Sequence, residues 1–269
     1  MGSEMCIRDS YISFFDKLVG KPAVFVGLKN FIKLAEINYN QVLINTFIVF
    51  TFITVAIRMN LALTIAIILN TEFKGRRIMN VIFMLPYALP LVPVVHLFRI
   101  MYDPDWGVIN QILRALGLIK SNILWLGHYN TAMMCAITIG VWRSTPFWAV
   151  VFLAAMKGIP EEFYEAAELE GARFGQKIWH ITLPRLRPII SMLLLLAVIG
   201  NMQIFERPYV MTGGGPGMAT TTVVMYFYQL SFQSLIFGKG ASLAVILFFT
   251  ILVLIIIPRN PHSKQIEED

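Results

Sequence analysis

Long apolar runs constrain this chain more than any other feature of its sequence. A helix needs roughly 20 apolar residues to cross the hydrocarbon core of a bilayer. Only 14% of the 269 residues are charged, against about 25% in soluble domains. We therefore predict an all-α, polytopic integral membrane bundle. The predicted transmembrane helices cover residues 41–69, 78–100, 131–156, 188–210 and 241–257.

Two of these stretches contain residues that disturb a simple span. The first is interrupted by Arg58-Met59-Asn60, and the second carries Pro86, Pro90 and Pro93. Because proline lacks an N–H donor and clashes with the preceding turn, the second helix is predicted to bend. Neighbouring helices must then satisfy the carbonyls that it releases.

Two of the segments between the spans are also apolar in part. In the loop 102–130, Ile109, Ile112, Leu113 and Leu116 have helical spacing, which predicts a short helix at the membrane interface. Residues 220–236 are apolar and aromatic but too short for a full span, so we expect a re-entrant or surface segment there.

The polar loop between the third and fourth stretches, residues 159–187, has its own helical signals. Pro160 and the acids beside it favour a helix start, and Gly171 fits the position just past a helix end. A second short helix is predicted from Ala172 to about Ile181, and Pro184 is expected to end it. Two short helices with a glycine corner would form a compact knob outside the membrane.

The spacing of this loop resembles the EAA signature of ABC importer permeases. It reads Glu165-Ala166-Ala167, then Gly171, then Ile181, then Leu183-Pro184. In that family the loop docks into a groove on a cytoplasmic ATPase, so the resemblance implies that these seven residues couple to an ATPase. The alanines would allow close approach, and Glu165 could pair with a cation of the partner. The alternative is an ordinary charged loop between two spans. Residues 159–187 are called the EAA loop below.

Other segments resemble the carbohydrate-uptake class of these permeases, most of all the maltose, trehalose and glycerol-phosphate type. They are Leu85-Pro86 to Pro90, the run from Tyr102 to Asn110, and the turn Thr212-Gly213-Gly214-Gly215-Pro216. Residues 27–31 resemble an external segment that follows a first span in the family, where six spans are expected. Residues 1–40, which include this segment, have no apolar run long enough for a span. We expect an external N-terminal segment, truncated or foreign over 1–10; the alternative is a genuine five-span member.

The resemblance implies the other parts of the machine and the domain plan. It implies a heterodimer with a second permease, two cytoplasmic ABC ATPase subunits, an extracytoplasmic solute-binding protein and a small sugar, in a bacterial or archaeal inner membrane. The transmembrane domain covers 41–258, and residues 259–269 form a cytoplasmic tail. No GxxxxGK[ST] loop occurs, so ATP hydrolysis is assigned to a separate subunit and this chain is predicted not to be an enzyme.

No catalytic residue, cofactor or metal is expected. The two cysteines, Cys6 and Cys135, have no metal-ligand spacing. The net charge of +6 is attributed to loops that face anionic lipid rather than to nucleic-acid binding.

Polar residues inside the spans are the candidates for a substrate path. A charge near the midplane costs at least about 2.5–3.5 kcal/mol, so Arg143 should face a cavity or a partner. It would line the path, cap carbonyls freed by Pro146, or pair with a carboxylate of the second permease. Arg58 and Asn60, inside the first span, are likewise candidates for the path. Asn201, Gln203, Phe205 and Glu206 would bind sugar through polar groups and ring stacking, or would form helix–helix hydrogen bonds.

Two other classes of function are compatible with a polytopic bundle. A secondary, ion-coupled transporter would need no ATPase and is expected to carry two repeated halves, which the five stretches do not show. A non-transporting membrane scaffold is the weaker alternative. The EAA signature favours the ABC permease over both.

The loops differ strongly in positive charge. Those at 70–77, 157–187 and 258–269 contain Lys74, Arg76, Arg77, Lys157, Arg173, Lys177, Arg185, Arg187, Arg259 and Lys264. Those at 101–130 and 211–239 contain only Arg114, Lys120 and Lys239. Because cytoplasmic loops are enriched in lysine and arginine, the EAA loop is predicted to be cytoplasmic.

A cysteine at Gln176, in a background without Cys6 and Cys135, tests this orientation. A membrane-impermeant thiol reagent should label it in inside-out vesicles and not in intact cells. Labelling from outside intact cells would overturn the predicted topology.

Overall fold

The computed structural model describes residues 8–18, 20–36, 39–71 and 73–256, and these are predominantly helical. The predicted tail 259–269 and residues 1–7 of the N-terminal segment lie outside the described residues. The chain divides into two compact units, Met1–Ile48 with Ile199–Asp269, and Val49–Val198.

The described part of the chain contains two short strands and a series of helices. The strands are β1 (Phe15–Asp16) and β2 (Val24–Phe25), which pair antiparallel. The helices are α1 (Lys29–Glu36), α2 (Tyr39–Asn70), α3 (Arg76–Ala88), α4 (Leu91–Met101), α5 (Val108–Ala115), α6 (Tyr129–Lys157), α7 (Glu162–Leu169), α8 (Phe174–Met202), α9 (Glu206–Thr212), α10 (Val223–Tyr228) and α11 (Phe237–Ile256).

Among the described residues, four single helices are long and apolar enough to cross a membrane: α2, α6, α8 and α11. The predicted second span, 78–100, is instead the pair α3 and α4, bent by 92°. Leu89 and Pro90 are both extended at the break, because the proline ring disfavours helical backbone in the residue before it. The five-span prediction therefore holds only if this broken pair is one span.

The predicted fourth span, 188–210, was wrong at both ends. Helix α8 begins at Phe174 and ends at Met202, and a separate helix, α9, follows. Pro184 does not end a helix as predicted. A π-helical turn, Ile178–Thr182, ends just before Leu183-Pro184. Such a turn changes the backbone hydrogen-bond pattern, so the helix tolerates the missing N–H donor of the proline. The second short helix of the EAA loop is thus the first turn of α8.

The predicted short helix in the loop 102–130 is confirmed as α5. The predicted interruption at Arg58-Met59-Asn60 was wrong, because these residues lie within continuous α-helix. The irregular part of α2 is the π-helical segment Ile44–Ile53. Residues 220–236 form α10 and a π-helical turn, Gln229–Gln233, consistent with a segment too short to span.

Helix α2 packs against α6 within the unit Val49–Val198. Three alanines, Ala62, Ala66 and Ala149, are fully buried there, and small residues let helix backbones approach closely in a membrane. Trp148 and Phe152 fill the space beside them. This packing fixes the position of α6, and the EAA loop emerges from the end of that helix at Lys157.

The other unit is organised around the Thr212–Pro216 turn. The Asn45 side chain donates to the carbonyls of Met218 (3.0 Å) and Thr221 (3.1 Å). Gly214 has a φ of +96°, and a Cβ there would lie 2.5 Å from Thr221 Oγ1. The turn is therefore a packed part of the fold, which requires glycine at this position.

Candidate functional site

The corner of the EAA loop is a complete helix-terminating motif. The N–H of Gly171 donates to the Glu168 carbonyl, and that of Ala172 donates to the Ala167 carbonyl, both at 2.9 Å. Gly171 has a φ of +79°, which a residue with a Cβ adopts at a cost of about 1 kcal/mol. The hydrogen bonds satisfy two carbonyls at the end of α7, and the prediction of Gly171 just past a helix end is confirmed.

Three side-chain contacts join α7 to the beginning of α8. The guanidinium of Arg185 lies 3.5 Å from the ring centroid of Phe163. The hydroxyl of Tyr164 lies 3.0 Å from Thr182 Oγ1. A salt bridge pairs Lys177 with Glu168. As the residue number rises along α7 it falls along α8, so the two segments pack antiparallel as a helical hairpin.

A groove of about 490 Å³ lies between the two segments of this hairpin. Four residues of the EAA signature line it: Ala166, Ala167, Gly171 and Ile181. Ala166 and Gly171 are exposed, so neither side chain obstructs an approaching surface. The signature residues therefore form a shallow concave face.

The remaining signature residues surround that face. Glu165 is exposed on α7, while Leu183 and Pro184 are half-buried at the beginning of α8. Large apolar side chains are also exposed on this loop, among them Leu169 at 91% and Trp179 at 71%. Large exposed apolar residues on a polar loop are typical of a surface that binds another protein.

Arg143 lies at the break between α3 and α4. Its Nε donates to the carbonyl of Leu89 at 3.3 Å, and its guanidinium lies 5.7 Å from the ring centroid of Tyr87. Leu89 is the residue at which α3 ends, so its carbonyl has no donor from a following helical turn. Arg143 thus supplies a donor at this break, rather than one for a carbonyl released by Pro146.

Arg58 and Asn60 lie on different sides of α2. Arg58 is 6% exposed, and its guanidinium lies 4.3 Å from the ring centroid of Trp148 on α6. Its Nε and one terminal nitrogen have no hydrogen-bond partner among the described residues. Asn60 is exposed and donates to the Ala56 carbonyl one turn earlier. The two residues therefore do not share one surface.

The break between α8 and α9 brings the other candidates together. Asn201 is buried and accepts a hydrogen bond from Arg207 at 3.4 Å. Gln203 and Glu206 are exposed, and Phe205 is half-buried. The structure thus separates Asn201, which is used in packing, from three neighbours that are accessible.

An aromatic cluster adjoins this break, defined by Phe205, Tyr209, Tyr228, Phe232 and Phe237. The rings of Phe205 and Tyr209 stack at 4.9 Å, and Tyr228 lies 5.2 Å from Phe205. A hydrogen bond with Tyr209 raises the pKa of Tyr228 above its usual value, so the Tyr228 hydroxyl stays neutral at physiological pH. The cluster provides ring faces and hydroxyls beside the exposed Gln203 and Glu206.

Sequence reasoning did not find Arg207, Tyr228 or Trp148 as parts of these sites. Tyr228 is 19 residues beyond Tyr209 in the sequence, and Trp148 is on a different helix from Arg58. An arginine beside a proline near the end of a predicted span was the only available signal for Arg207.

The long apolar helices and the broken pair define a multi-pass α-helical membrane protein. The family model "Binding-protein-dependent transport system inner membrane component" matches residues 60–259. The chain belongs to this family and is an inner-membrane component of an ABC transporter.

Named relatives and solved structures agree with this assignment. The trehalose/maltose transport system permease protein MalF of Thermococcus litoralis is 34% identical over 233 residues, covering 85% of this chain and 76% of the relative. The sulfoquinovosyl glycerol transport system permease protein SmoG of Agrobacterium fabrum is 35% identical, covering 88% and 77%. A bacterial ABC transporter that imports alginate matches with a TM-score of 0.81 at 23% identity, covering 95% and 86%, which shows the same fold.

We expect Arg143→Met to destabilise the helix break, because the Leu89 carbonyl loses its donor. The expected loss is about 1–3 kcal/mol, the range for a hydrogen bond to a charged group. It would be measured as a lower midpoint of thermal unfolding in detergent. Arg99→Met is the control, since Arg99 is an exposed arginine on α4. Equal midpoints for Arg143→Met and Arg99→Met would contradict the capping role.

Proposed function

We propose that this chain is the permease subunit of an ATP-driven ABC importer for a sugar or sugar-like solute. In this proposal separate ATPase subunits bind the EAA loop from the cytoplasm. The observation that carries it is the groove lined by Ala166, Ala167, Gly171 and Ile181, on a loop that also exposes large apolar side chains. A secondary transporter has no need of such a docking surface.

The geometry supports a docking role for Gly171 in particular. A Cβ built at this position meets no described atom of the chain within 4 Å. Packing within the described residues therefore leaves room for a side chain at Gly171, and only its positive φ disfavours one. The absence of a side chain is explained if another surface approaches the groove closely.

The proposed mechanism uses the hairpin as a mechanical link. When the ATPases bind ATP and close, they would displace α7 and the beginning of α8 together, because three side-chain contacts join these two segments. Helix α8 is continuous from Phe174 to Met202, so it extends from the EAA loop into the membrane. Displacement at its cytoplasmic end would therefore reach the break at Gln203 and change access from one side of the membrane to the other.

The other proposed components follow from the family and from the charge of the loops. A second, different permease would complete the path, two ATPases would drive it, and an extracytoplasmic solute-binding protein would deliver the sugar. The ten lysines and arginines on the EAA-loop side support a cytoplasmic location for that loop. Two relatives are trehalose/maltose and sulfoquinovosyl glycerol permeases, which supports a carbohydrate as the solute.

We propose that Gln203, Phe205 and Glu206 contact the sugar. An exposed amide and carboxylate can pair with hydroxyl groups, and the aromatic cluster offers ring faces of the size of a pyranose. Arg143, Arg58, Asn60 and Asn201 remain candidates for the path, but Arg143 and Asn201 already make hydrogen bonds within the chain. Arg143 and Asn201 would then contribute by holding in place the helices that line the path.

Gly171→Asp is expected to leave membrane insertion intact and to abolish transport. The backbone strain of about 1 kcal/mol is too small to unfold a bundle held by the bilayer, whereas a side chain in the groove excludes the ATPase. The measurements are membrane abundance, ATPase co-purification, and uptake by reconstituted vesicles. Normal coupled transport by Gly171→Asp would refute the docking role.

Glu165→Ala is the milder variant at the same surface. A single exposed ion pair is worth at most about 1 kcal/mol, so ATPase association should weaken by roughly fivefold or less. Glu161→Ala is the control, since Glu161 is an exposed glutamate before the first turn of α7.

Gln203→Ala and Phe205→Ala test the proposed sugar contacts. Both should raise the KM for uptake in a panel of neutral disaccharides, by roughly five- to tenfold for the loss of about 1 kcal/mol of hydrogen bonding or stacking. ATPase co-purification should stay unchanged. Gln111→Ala, in the loop helix α5, is the control. Unchanged KM in both variants would exclude these residues from the sugar site.

A further inference from the structure

The three contacts of the hairpin differ in how buried their residues are. Arg185 and Phe163 meet at its exposed side, and both are exposed residues. Glu168 and Lys177 pair near the glycine corner, where Glu168 is exposed. Thr182, the partner of Tyr164, is only 5% exposed. The Tyr164–Thr182 contact is thus the one that connects the EAA loop to the protein interior.

Thr182 also occupies a special place in α8. It is the last residue of the π-helical turn Ile178–Thr182, and its Oγ1 donates to the Lys177 carbonyl at 3.4 Å. The same Oγ1 lies 3.0 Å from the Tyr164 hydroxyl, and either of the two hydroxyls can donate in that hydrogen bond. Tyr164 therefore bonds directly to the turn that precedes Pro184, where α8 changes its hydrogen-bond pattern.

A cavity of about 180 Å³ separates this contact from the neighbouring helix ends. On one side it is lined by Tyr164, Phe174, Lys177 and Thr182 of the hairpin. On the other it is lined by Ile67, Asn70 and Thr71 at the end of α2 and by Met156 at the end of α6. Packed interiors have few voids of this size, so the hairpin can shift towards or away from α2 and α6 without separating dense contacts at this point.

We infer that Tyr164 and Thr182 are positioning residues through which displacement of the EAA loop passes into α8. The hairpin and α8 move as one body, and the cavity beside α2 and α6 changes instead. This inference rests on the proposed function, because it requires an ATPase to displace the loop. It adds to that function the helix that receives the displacement, α8, and the hydrogen bond that joins this helix to α7, between Tyr164 and Thr182.

Spin-label distances in the assembled transporter test the joint. One label replaces Glu162 on α7, and the second replaces either Leu196 on α8 or Asn70 at the end of α2; all three residues are exposed. The complex is purified with its co-encoded partner subunits, and ATP with vanadate is the probe. The Glu162–Asn70 distance should shift, while the Glu162–Leu196 distance should stay within the width of its original distribution.

The hydroxyl deletions Tyr164→Phe and Thr182→Val test the bond itself. Each should broaden the Glu162–Leu196 distribution and make that distance respond to ATP with vanadate. The double variant should do no more than either single one, because both remove the same bond. Tyr39→Phe and Thr64→Val are the controls. The Tyr39 hydroxyl has no hydrogen-bond partner among the described residues, and Thr64 bonds only within its own helix turn.

The outcomes separate this inference from the function on which it rests. Failure of the ATPases to co-purify, or no shift in either distance, would overturn the proposed coupling together with the inference. A bound ATPase with a Glu162–Leu196 shift as large as the Glu162–Asn70 shift, or hydroxyl deletions that behave as the controls do, would overturn the inference alone.

Discussion

Backbone hydrogen bonding in the absence of water is the constraint on which the rest of this structure depends. In a bilayer, each carbonyl or N–H that leaves a regular helix must find another partner inside the protein. Within the apolar stretches that the structure describes, the chain leaves helix at two places, after Ala88 and after Met202. At the first, Arg143 donates to Leu89; at the second, the Thr222 hydroxyl donates to the Ile204 carbonyl at 2.7 Å.

These two breaks are compatible with the membrane because polar side chains from elsewhere in the same unit serve them. The second break also leaves Gln203 and Glu206 exposed. If the helix had continued past Met202, these two side chains would have had other positions. An irregular backbone at membrane depth is tolerated where it is buried in protein or lines a cavity. The structural requirement and the proposed sugar contacts therefore occur in the same short segment.

The EAA loop follows a different logic, because it lies outside the apolar stretches. Its shape depends on a glycine with positive φ and on side chains that join α7 to α8. Each contact is small, and an exposed ion pair contributes little. Together with the two backbone hydrogen bonds at the corner, they make a preformed hairpin, so that binding a partner would require little further ordering of the loop.

The sequence by itself determined the class of protein, the existence of most helices and the glycine corner, because apolar length, helical spacing and the conformational preferences of glycine are local properties. It also predicted a bend in the second stretch from Pro86, Pro90 and Pro93, and the structure places that bend at Pro90. It did not determine that α8 continues through Pro184, because the π-helical turn that accommodates this proline is not encoded by one residue type. Nor did it determine that Arg143 caps Leu89, that Arg58 stacks on Trp148, or that Tyr164 bonds to Thr182. Those contacts join residues from different helices, and only packing in three dimensions decides which side chains meet.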